Sequence, residues 1–215
     1  MDVYSLLLAV GGAIALTMLF LGFWRFVFLR DPERPIPEGD VIVSPADGRV
    51  IRVEEFFLRD DDVKRIPKHW YSGCTTTLRD ISGEGYIVSI FMSLFSVHIN
   101  RAPIAGMVTA QTHMPGSFRA AQRFPRALLE NERNEITIQS HSLRLKVIQV
   151  AGLVARRIQS GVTVGQRVGK GQRIGRINLG SQCNLILPKQ GVRLCVREGD
   201  HVRAGSSIIA THHPL

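Results

Sequence analysis

The residue pair in this chain with the clearest potential for covalent chemistry is Gly180-Ser181. A serine hydroxyl is a weak nucleophile, so it needs a base and a well-placed carbonyl carbon. A glycine before the serine permits a strained turn that no side chain would tolerate. His98 and Asp47 are of the types that act as a base and as its orienting carboxylate in a Ser-His-Asp relay. An isolated aspartate or histidine is more often a turn cap or a packed ring, so the pair needs support from the rest of the chain.

Other kinds of site find little support in the sequence. The three cysteines, Cys74, Cys183 and Cys195, are odd in number and include no Cys-x-x-Cys, so we expect no disulfide. Cys183 lies two residues after Ser181, but a small half-buried strand residue is a better interpretation than a second nucleophile. The seven histidines have no metal-ligand spacing, so no metal is expected.

The formal net charge of +9 and the pI of about 10.2 indicate an acidic partner. Nucleic acid and anionic lipid both fit that balance. The 27 lysines and arginines are scattered, and no aromatic-rich basic strand is present. The sequence therefore favours a membrane partner and no nucleic acid.

The N-terminal segment also favours a membrane partner. Val3 to Trp24 is 22 residues without a charged side chain, and as a helix it would span roughly 33 Å. A secretory signal would need a positive start and a small-residue cleavage site, and the chain begins Met-Asp. Arg25, Arg30 and Arg34 follow the apolar run, which places the body on the cytoplasmic side of the cell (inner) membrane. We predict a membrane-anchoring helix over residues 1–30, with a buried core helix as the alternative.

The remainder divides into a linker and one body. Residues 31–40 hold three prolines and a glycine, which predicts an extended linker without helix. The body, residues 41–215, shows mostly short apolar strands, and the charged stretch 55–80 is typical of a loop or lid. A helix is predicted over Gly116–Asn131, although Pro125 would break or end it. The predicted strands are Val41–Val43, Arg49–Val53, Tyr86–Phe91, Gly106–Gln111, Glu135–Gln139 and Leu143–Val150.

Two internal repeats indicate the architecture. Gly165-x-x-Val168-x-x-Gly171-x-x-Ile174 recurs 34 residues later from Gly199, and Pro45-x-x-Gly48-x-Val50 recurs 58 residues later from Pro103. Glycines at fixed spacing supply hairpin turns, and the β-branched residues between them face a core. The pattern predicts a mostly β, barrel-sandwich body with duplicated hairpins of the biotinyl/lipoyl type, an N-terminal hydrophobic membrane helix and one or two short helices. The carrier domains of that class display a lysine after methionine, and this chain has no Met-Lys.

Several ordered motifs together resemble the short, archaeal-type branch of the pyruvoyl-dependent phosphatidylserine decarboxylases. The resemblance extends from the apolar segment to Ala210 and centres on Leu179-Gly180-Ser181. The matching segments are Phe28-Leu29-Arg30-Asp31-Pro32-Glu33-Arg34, Ser44-Pro45-Ala46-Asp47-Gly48, Val97-His98-Ile99-Asn100-Arg101-Ala102-Pro103, Met114-Pro115-Gly116-Ser117-Phe118, Glu130-Asn131-Glu132-Arg133-Asn134 and Gln149-Val150-Ala151-Gly152-Leu153-Val154-Ala155-Arg156-Arg157.

The resemblance implies a self-processing enzyme. Cleavage between Gly180 and Ser181 would give a β chain of residues 1–180 and an α chain of residues 181–215, which stay together as a heterodimer, with further oligomerisation left open. Ser181 would become the covalent pyruvoyl cofactor, which forms a Schiff base with the amine of phosphatidylserine or a related phosphoserine lipid. The enzyme would release phosphatidylethanolamine at the membrane. His98 and Asp47 are the expected catalytic partners of Ser181 and its cleavage site.

Candidate contacts for the substrate phosphate or carboxylate are Arg101, Arg156 and Arg157, for which ordinary surface charge is the alternative.

Three positions depart from the family pattern. Arg101 stands where longer relatives have a second histidine, so that residue's processing role cannot be transferred. Ser96 and Asn184 stand where relatives usually have aspartates, which leaves two carboxylates fewer near the site. An inactive membrane-tethered paralogue is therefore one alternative, and a barrel-sandwich adaptor protein is another, although no heptad-like stretch supports the adaptor.

Overall fold

The computed structural model describes residues 2–59, 62–63, 78, 80–118, 126–152, 157–177 and 180–213. Within these ranges the chain is mostly β, with a curled sheet and one long apolar helix. Its helical segments are α1 (Val3–Gly22), a π-helical turn (Phe23–Phe28) and the short α2 (Arg126–Glu130). The strands are β1 Val41–Val43, β2 Gly48–Arg59, β3 Asp62–Val63, β4 Glu84–Met92, β5 Ile99–Arg101, β6 Gly106–Met114, β7 Arg133–Gln139, β8 Arg144–Val150, β9 Ile158–Ser160, β10 Arg167–Val168, β11 Arg173–Ile177, β12 Ser181–Pro188, β13 Val192–Leu194, β14 His201–Val202 and β15 Ile208–His212.

Helix α1 stands away from the body. Asp2 caps its first turn by accepting a hydrogen bond from the Ser5 N–H at 2.7 Å, which satisfies one of the unpaired amides there. None of its residues is buried, so a core helix is not what this segment forms. Together with the π-helical turn it is long and apolar enough to cross a membrane. The helical path ends at Phe28, four residues before Pro32.

The largest sheet is antiparallel throughout, in the order β10-β6-β7-β8-β12-β4-β2-β14. Strand β12 lies near its middle, paired with β8 on one side and β4 on the other. Alternate residues of a strand point to opposite faces. Accordingly Cys183 and Leu185 join one core cluster and Ile186 joins a second. Ser181 therefore begins a strand that is covered on both faces.

The two sequence repeats pair with each other around a local two-fold relation. Val43 N donates to the Pro103 carbonyl at 3.0 Å, and Arg101 N donates to the Pro45 carbonyl at 2.9 Å. The residues exchanged in these bonds are 58 positions apart, which is the repeat offset. The same correspondence sets strand register: β14 lies on β2 through Val202↔Gly48, and β10 lies on β6 through Val168↔Gly106. Each Pro-x-x-Gly unit thus pairs with one Gly-x-x-Val-x-x-Gly unit.

Ile36 of the proline-rich segment lies where the two glycine turns meet. Gly171 and Gly205 are equivalent in the repeat and have φ of +77° and +76°. A Cβ on Gly171 would lie 2.3 Å from Ile36 Cδ1, and one on Gly205 would lie 3.1 Å from the same atom. The absence of side chains at both turns is therefore what lets Ile36 approach.

The proline-rich segment is extended, as its composition predicts, and ion pairs hold it to the body. Asp31 accepts bonds from Arg101 and Arg173 at 3.1 and 2.5 Å, and Glu33 accepts from Arg173 at 2.7 Å. Arg34 pairs with Asp47 at 2.7 Å. Residues 31–34 and Ile36 consequently form a strap across the two-fold turns.

Two local predictions are corrected. The helix expected over Gly116–Asn131 is helical only from Arg126, directly after Pro125, and Ser117 instead forms a bridge to Asn131. Residues 119–125 lie outside the described ranges. The stretch 55–80 begins as strand, because β2 continues to Arg59 opposite β4. Pairing with β4 outweighs the charge of this stretch.

Replacing Gly171 by alanine is expected to destabilise the fold. A non-glycine residue at positive φ costs about 1–2 kcal/mol, and displacing Ile36 adds an overpacking cost of about 1–3 kcal/mol. G169A, two residues away in the same turn, is the matched control, because the nearest atom to its Cβ would lie 3.9 Å away. Urea unfolding of both variants measures the difference. Equal unfolding free energies would contradict the close approach of Ile36.

Candidate active site

Ser181 is placed by a glycine corner at the entrance of β12. Gly180 has φ +64°, and apart from its chain neighbours no described residue has an atom within 4 Å of the position its Cβ would occupy. The requirement for glycine is thus one of backbone conformation rather than of space. Ser181 is fully buried opposite Met92, and its Oγ lies 3.4 Å from Met92 Sδ. A thioether is a weak acceptor, so the hydroxyl is held only lightly.

A buried amide chain supports the floor of this corner. Asn100 Nδ2 contacts Met92 Sδ at 3.8 Å and donates to the Pro45 carbonyl at 3.3 Å. Gln149 Nε2 donates to Asn100 Oδ1 at 2.9 Å, and Asn134 Nδ2 donates to Gln149 Oε1 at 2.8 Å. Connected polar groups in a core fix one another's orientation. This run of amide hydrogen bonds explains why motif residues Asn100, Asn134 and Gln149 come together from three strands.

His98 lies beside the end of β11, the strand that precedes Ser181 in the chain. Its carbonyl accepts a hydrogen bond from Ile177 N at 3.1 Å. Ile177 precedes Ser181 by four residues, which extended chain would span in at most about 14 Å. The backbone of His98 therefore lies within chain reach of Ser181, but no hydrogen bond joins its ring to Ser181 Oγ, whose polar neighbour is Met92 Sδ.

The imidazole of His98 is buried and unpaired. It is 1% exposed, and neither ring nitrogen has a hydrogen-bond partner of normal geometry among the described residues. Burial lowers the pKa of His98 to about 4; the backbone of Ser96 opposes the shift, and the charges of Arg30 and Arg176 add to it. His98 is consequently neutral at pH 7 and can accept a proton, although the same shift makes it a weaker base than an ordinary histidine.

Phe28, the last residue of the π-helical turn, covers His98. The two ring centroids lie 4.4 Å apart, and Phe28 is 1% exposed. Trp24 stacks on Phe28 at 4.6 Å, and Phe20 lies 6.0 Å from Trp24. This aromatic column runs from the apolar helix to the candidate base, and π-helical turns recur at functional sites. The sequence motif contains Phe28, but its contact with His98 could not be read from spacing alone.

Asp47 does not contact His98. Its Oδ2 accepts from Arg34 at 2.7 Å and its Oδ1 accepts from Ala204 N at 2.8 Å. The hydrogen bond expected between Asp47 and His98 is therefore not formed in this structure. The carboxylate instead ties the strap to the turn before Gly205.

The arginines predicted to bind substrate occupy different surroundings. Arg101 is 5% exposed and donates to Asp31, to the Pro32 carbonyl and to the Gly171 carbonyl. Its guanidinium is thus engaged by the strap. Arg157 is exposed, and Arg156 lies outside the described residues.

Two arginines that the sequence analysis did not select act on His98 instead. Arg30 donates to the carbonyls of Val27 and Phe95, whereas Arg176 forms no ion pair with any described residue. The sequence held a signal for Arg30, because this residue lies two positions after Phe28 in a motif shared with the family. No motif in the sequence pointed to Arg176.

Ser96 and Asn184, which stand where relatives usually have aspartates, lie in different parts of the structure. Ser96 closes a turn, accepting from Ser93 N at 3.0 Å. Asn184 is fully buried on the face of β12 opposite Ser181, where its Oδ1 accepts from Gln182 Nε2 at 2.6 Å. An aspartate at position 184 would therefore point away from the Ser181 side chain.

The cysteines and the possible metal ligands of the described residues can be placed as follows. Cys183 is fully buried rather than half-buried, and burial raises the pKa of its thiol, so it stays protonated. Cys183 and Cys195 are free thiols, and Cys74 lies outside the described ranges. Among described residues no cluster of metal-ligating side chains occurs.

Removing the Phe28 ring should raise the pKa of His98 toward the ordinary value of about 6.5, because water would reach the imidazole. F26A is the matched control, since Phe26 lies in the same turn and is 76% exposed. The measurement is an NMR titration of isotope-labelled histidine, with His98 assigned through H98Q.

The sign of the pH dependence follows from the same shift. Because the folded pKa lies below the unfolded one, unfolding takes up a proton, and stability is lost as pH falls from about 6.5 toward 4. In the F28A variant the folded pKa of His98 should lie closer to the unfolded value, so stability should be lost over a narrower pH range. An unchanged His98 pKa in F28A would contradict the shielding role of Phe28.

Comparison with known proteins gives a consistent result. The family model described as phosphatidylserine decarboxylase matches residues 21–210. A putative archaetidylserine decarboxylase proenzyme of Methanothermobacter thermautotrophicus is 38% identical over 94% of this chain and 86% of its own length. Phosphatidylserine decarboxylase proenzymes of Symbiobacterium thermophilum and Chlorobium chlorochromatii are 41% and 40% identical, over 94% and 93% of this chain and 83% and 84% of their lengths. The match spans the strap, the buried histidine and the glycine corner alike, and the chain belongs to the phosphatidylserine decarboxylase family.

Proposed function

We propose that this chain is a proenzyme that cleaves itself between Gly180 and Ser181 and then decarboxylates a phosphoserine lipid to the ethanolamine lipid. The observation that carries the proposal is the glycine corner at φ +64°, which leads into a fully buried serine at the start of β12. The names of the relatives, which are decarboxylase proenzymes, support both the processing and the substrate class.

Self-processing would begin at the corner. Ser181 Oγ attacks the Gly180 carbonyl carbon, the peptide C–N bond breaks, and an ester takes its place. His98 accepts the hydroxyl proton, for which its neutral state suits it. Loss of the Ser181 α-proton then expels residues 1–180 as a carboxylate. Water replaces the nitrogen of the remaining dehydroalanine, ammonia leaves, and the α chain begins with a pyruvoyl group.

The surroundings fit such a group. Ser181 lies in a dry, fully buried position, which protects a reactive carbonyl from water. When present, the pyruvoyl carbonyl supplies the electron sink that makes loss of CO₂ possible. The chain's own contribution is to orient the substrate and to move protons. We propose His98 as the proton donor after CO₂ leaves; because it is neutral at pH 7, it would have to take up a proton from water in each turnover. Asp47 would have to exchange its contact with Arg34 before it could assist His98.

The headgroup carries a phosphate and a carboxylate, which require cations. Of the predicted contacts, Arg101 is engaged with Asp31, so we assign its role to the strap. We assign the headgroup contact to Arg176, whose charge acts on His98 and which forms no ion pair within the described part of the chain. Arg157 is exposed and is therefore available for a headgroup contact at the protein surface.

The placement in the cell follows from α1. We propose that it anchors the protein in the cell membrane with the body on the cytoplasmic side, because Arg25 and Arg30 follow the apolar segment. The β chain (residues 1–180) and the α chain (residues 181–215) would remain joined, since β12 pairs with β4 and β8 across the cleavage point. The two-fold pairing of the repeats supports a barrel-sandwich assignment for the body.

The test is release of labelled CO₂ from vesicles holding carboxyl-labelled phosphatidylserine, with a parallel sample of the archaeal ether lipid. S181A should release none from either lipid, because its methyl group cannot form the cofactor. S142A is the matched control, since Ser142 is exposed and outside the site, and it should retain parental activity.

Each alternative has its own outcome in this assay. CO₂ release by S181A at the parental rate would overturn the role of Ser181. Absence of release by the parental chain from both lipids would favour the inactive paralogue or the adaptor protein.

A further inference from the structure

The loop between β4 and β5 displays two adjacent apolar side chains to the outside. Leu94 is 45% exposed and Phe95 is 68% exposed. In the described part of the body the other large exposed apolar side chains, Met107, Val164 and Ile208, occur singly. Single exposed apolar residues are normal on protein surfaces, but neighbouring ones at a functional site need a reason.

The loop is a fixed turn rather than a loose one. Ser96 N donates to the Ser93 carbonyl at 3.0 Å, and Ser93 N donates back to Ser96 Oγ at 3.0 Å. The two serine hydroxyls lie 3.2 Å apart. Leu94 and Phe95 occupy the central positions of this turn, where side chains project away from the sheet. The turn therefore holds both side chains outward.

The turn is continuous with the end of the apolar helix. Phe95 meets the ring of Phe23 edge-on, with centroids 5.9 Å apart, and its carbonyl accepts from the Arg30 guanidinium. Phe26, in the same π-helical turn, is 76% exposed. The apolar surface of the helix end and that of the Ser93–Ser96 turn thus form one surface, and Arg25 beside it supplies a cation suited to anionic headgroups.

We propose that the Ser93–Ser96 turn is a second membrane-inserting element, which places Leu94 and Phe95 in the leaflet that the N-terminal helix enters. The occupant of this surface is the lipid bilayer, because the surface continues a helix that is wholly uncovered by protein. This inference rests on the membrane placement given under the proposed function.

Insertion of the turn beside the helix end would do what the helix alone cannot. A body tethered by a single helix can rotate about it, whereas a bilayer contact widened by the inserted turn restricts that rotation. His98 follows Phe95 by three residues, about 10 Å of extended chain, so insertion of the turn brings the base to headgroup depth. The lipid then needs to move only its headgroup toward Ser181, and its acyl chains stay in the bilayer.

Insertion is tested directly by tryptophan quenching. The full chains of F95W and V164W are reconstituted in phosphatidylglycerol–phosphatidylcholine vesicles whose acyl chains carry bromine, a contact quencher. Val164 is the matched control, because it is 59% exposed on the body, on the turn before Gly165. After subtraction of parental fluorescence, the emission of the tryptophan introduced in F95W should be quenched, and that of the tryptophan introduced in V164W should not. Equal quenching in the two variants, or none in F95W, would overturn the proposal.

The catalytic consequence is tested with L94S/F95S against V164S. On vesicle-embedded substrate the double variant should turn over about tenfold more slowly or worse, because two buried apolar side chains are lost from the bilayer contact. On a short-chain, water-soluble phosphoserine lipid both variants should match the parental chain. An equal loss on both substrates would overturn the proposal in favour of a folding defect.

The two proposals fail in distinguishable ways. Quenching in F95W without any CO₂ release by the parental chain would remove the decarboxylase function and leave the membrane contact. CO₂ release by the parental chain without quenching in F95W would remove the membrane contact of the turn and leave the decarboxylase function.

Discussion

The contact between the tilted rings of Phe28 and buried His98 is the one on which the rest of the site depends. It removes the imidazole from water, so that the ring is neutral at physiological pH and keeps a lone pair for a proton. It also joins the last turn of the apolar helix to the body at the point where chemistry is expected. The proposed membrane helix and the candidate base are thus joined by the same pair of rings.

The strap gives that contact its position. Asp31 and Arg34 follow Phe28 by three and six residues. Asp31 pairs with Arg101, and Arg34 pairs with Asp47. Breaking one partner of a part-buried ion pair leaves the other charge without compensation, so these bonds hold the path of the chain. Asp47 and Arg101, which the sequence analysis selected for catalysis and substrate binding, thus both contact the strap in this structure. Ile36 completes the attachment at the meeting point of the two repeats.

The sequence was informative where a pattern is local or repeated. The offsets of 34 and 58 residues predicted paired hairpins, and the structure pairs those units in equivalent registers. The glycine corner was predictable because positive φ demands glycine. The contacts of Asp47 and Phe28 were not, since both partners are chosen by tertiary packing: Arg34 and the turn at Ala204 compete for the carboxylate that the motif suggested for His98. The helix over Gly116–Asn131 was overpredicted because a bridge between Ser117 and Asn131 replaces its first turn.

The most direct test of the account is the intact mass of the purified protein under denaturing conditions. The account predicts two chains that divide between Gly180 and Ser181, the smaller one lacking a free amino group and carrying the mass of a pyruvoyl terminus. A single uncut chain of 23.9 kDa would contradict it.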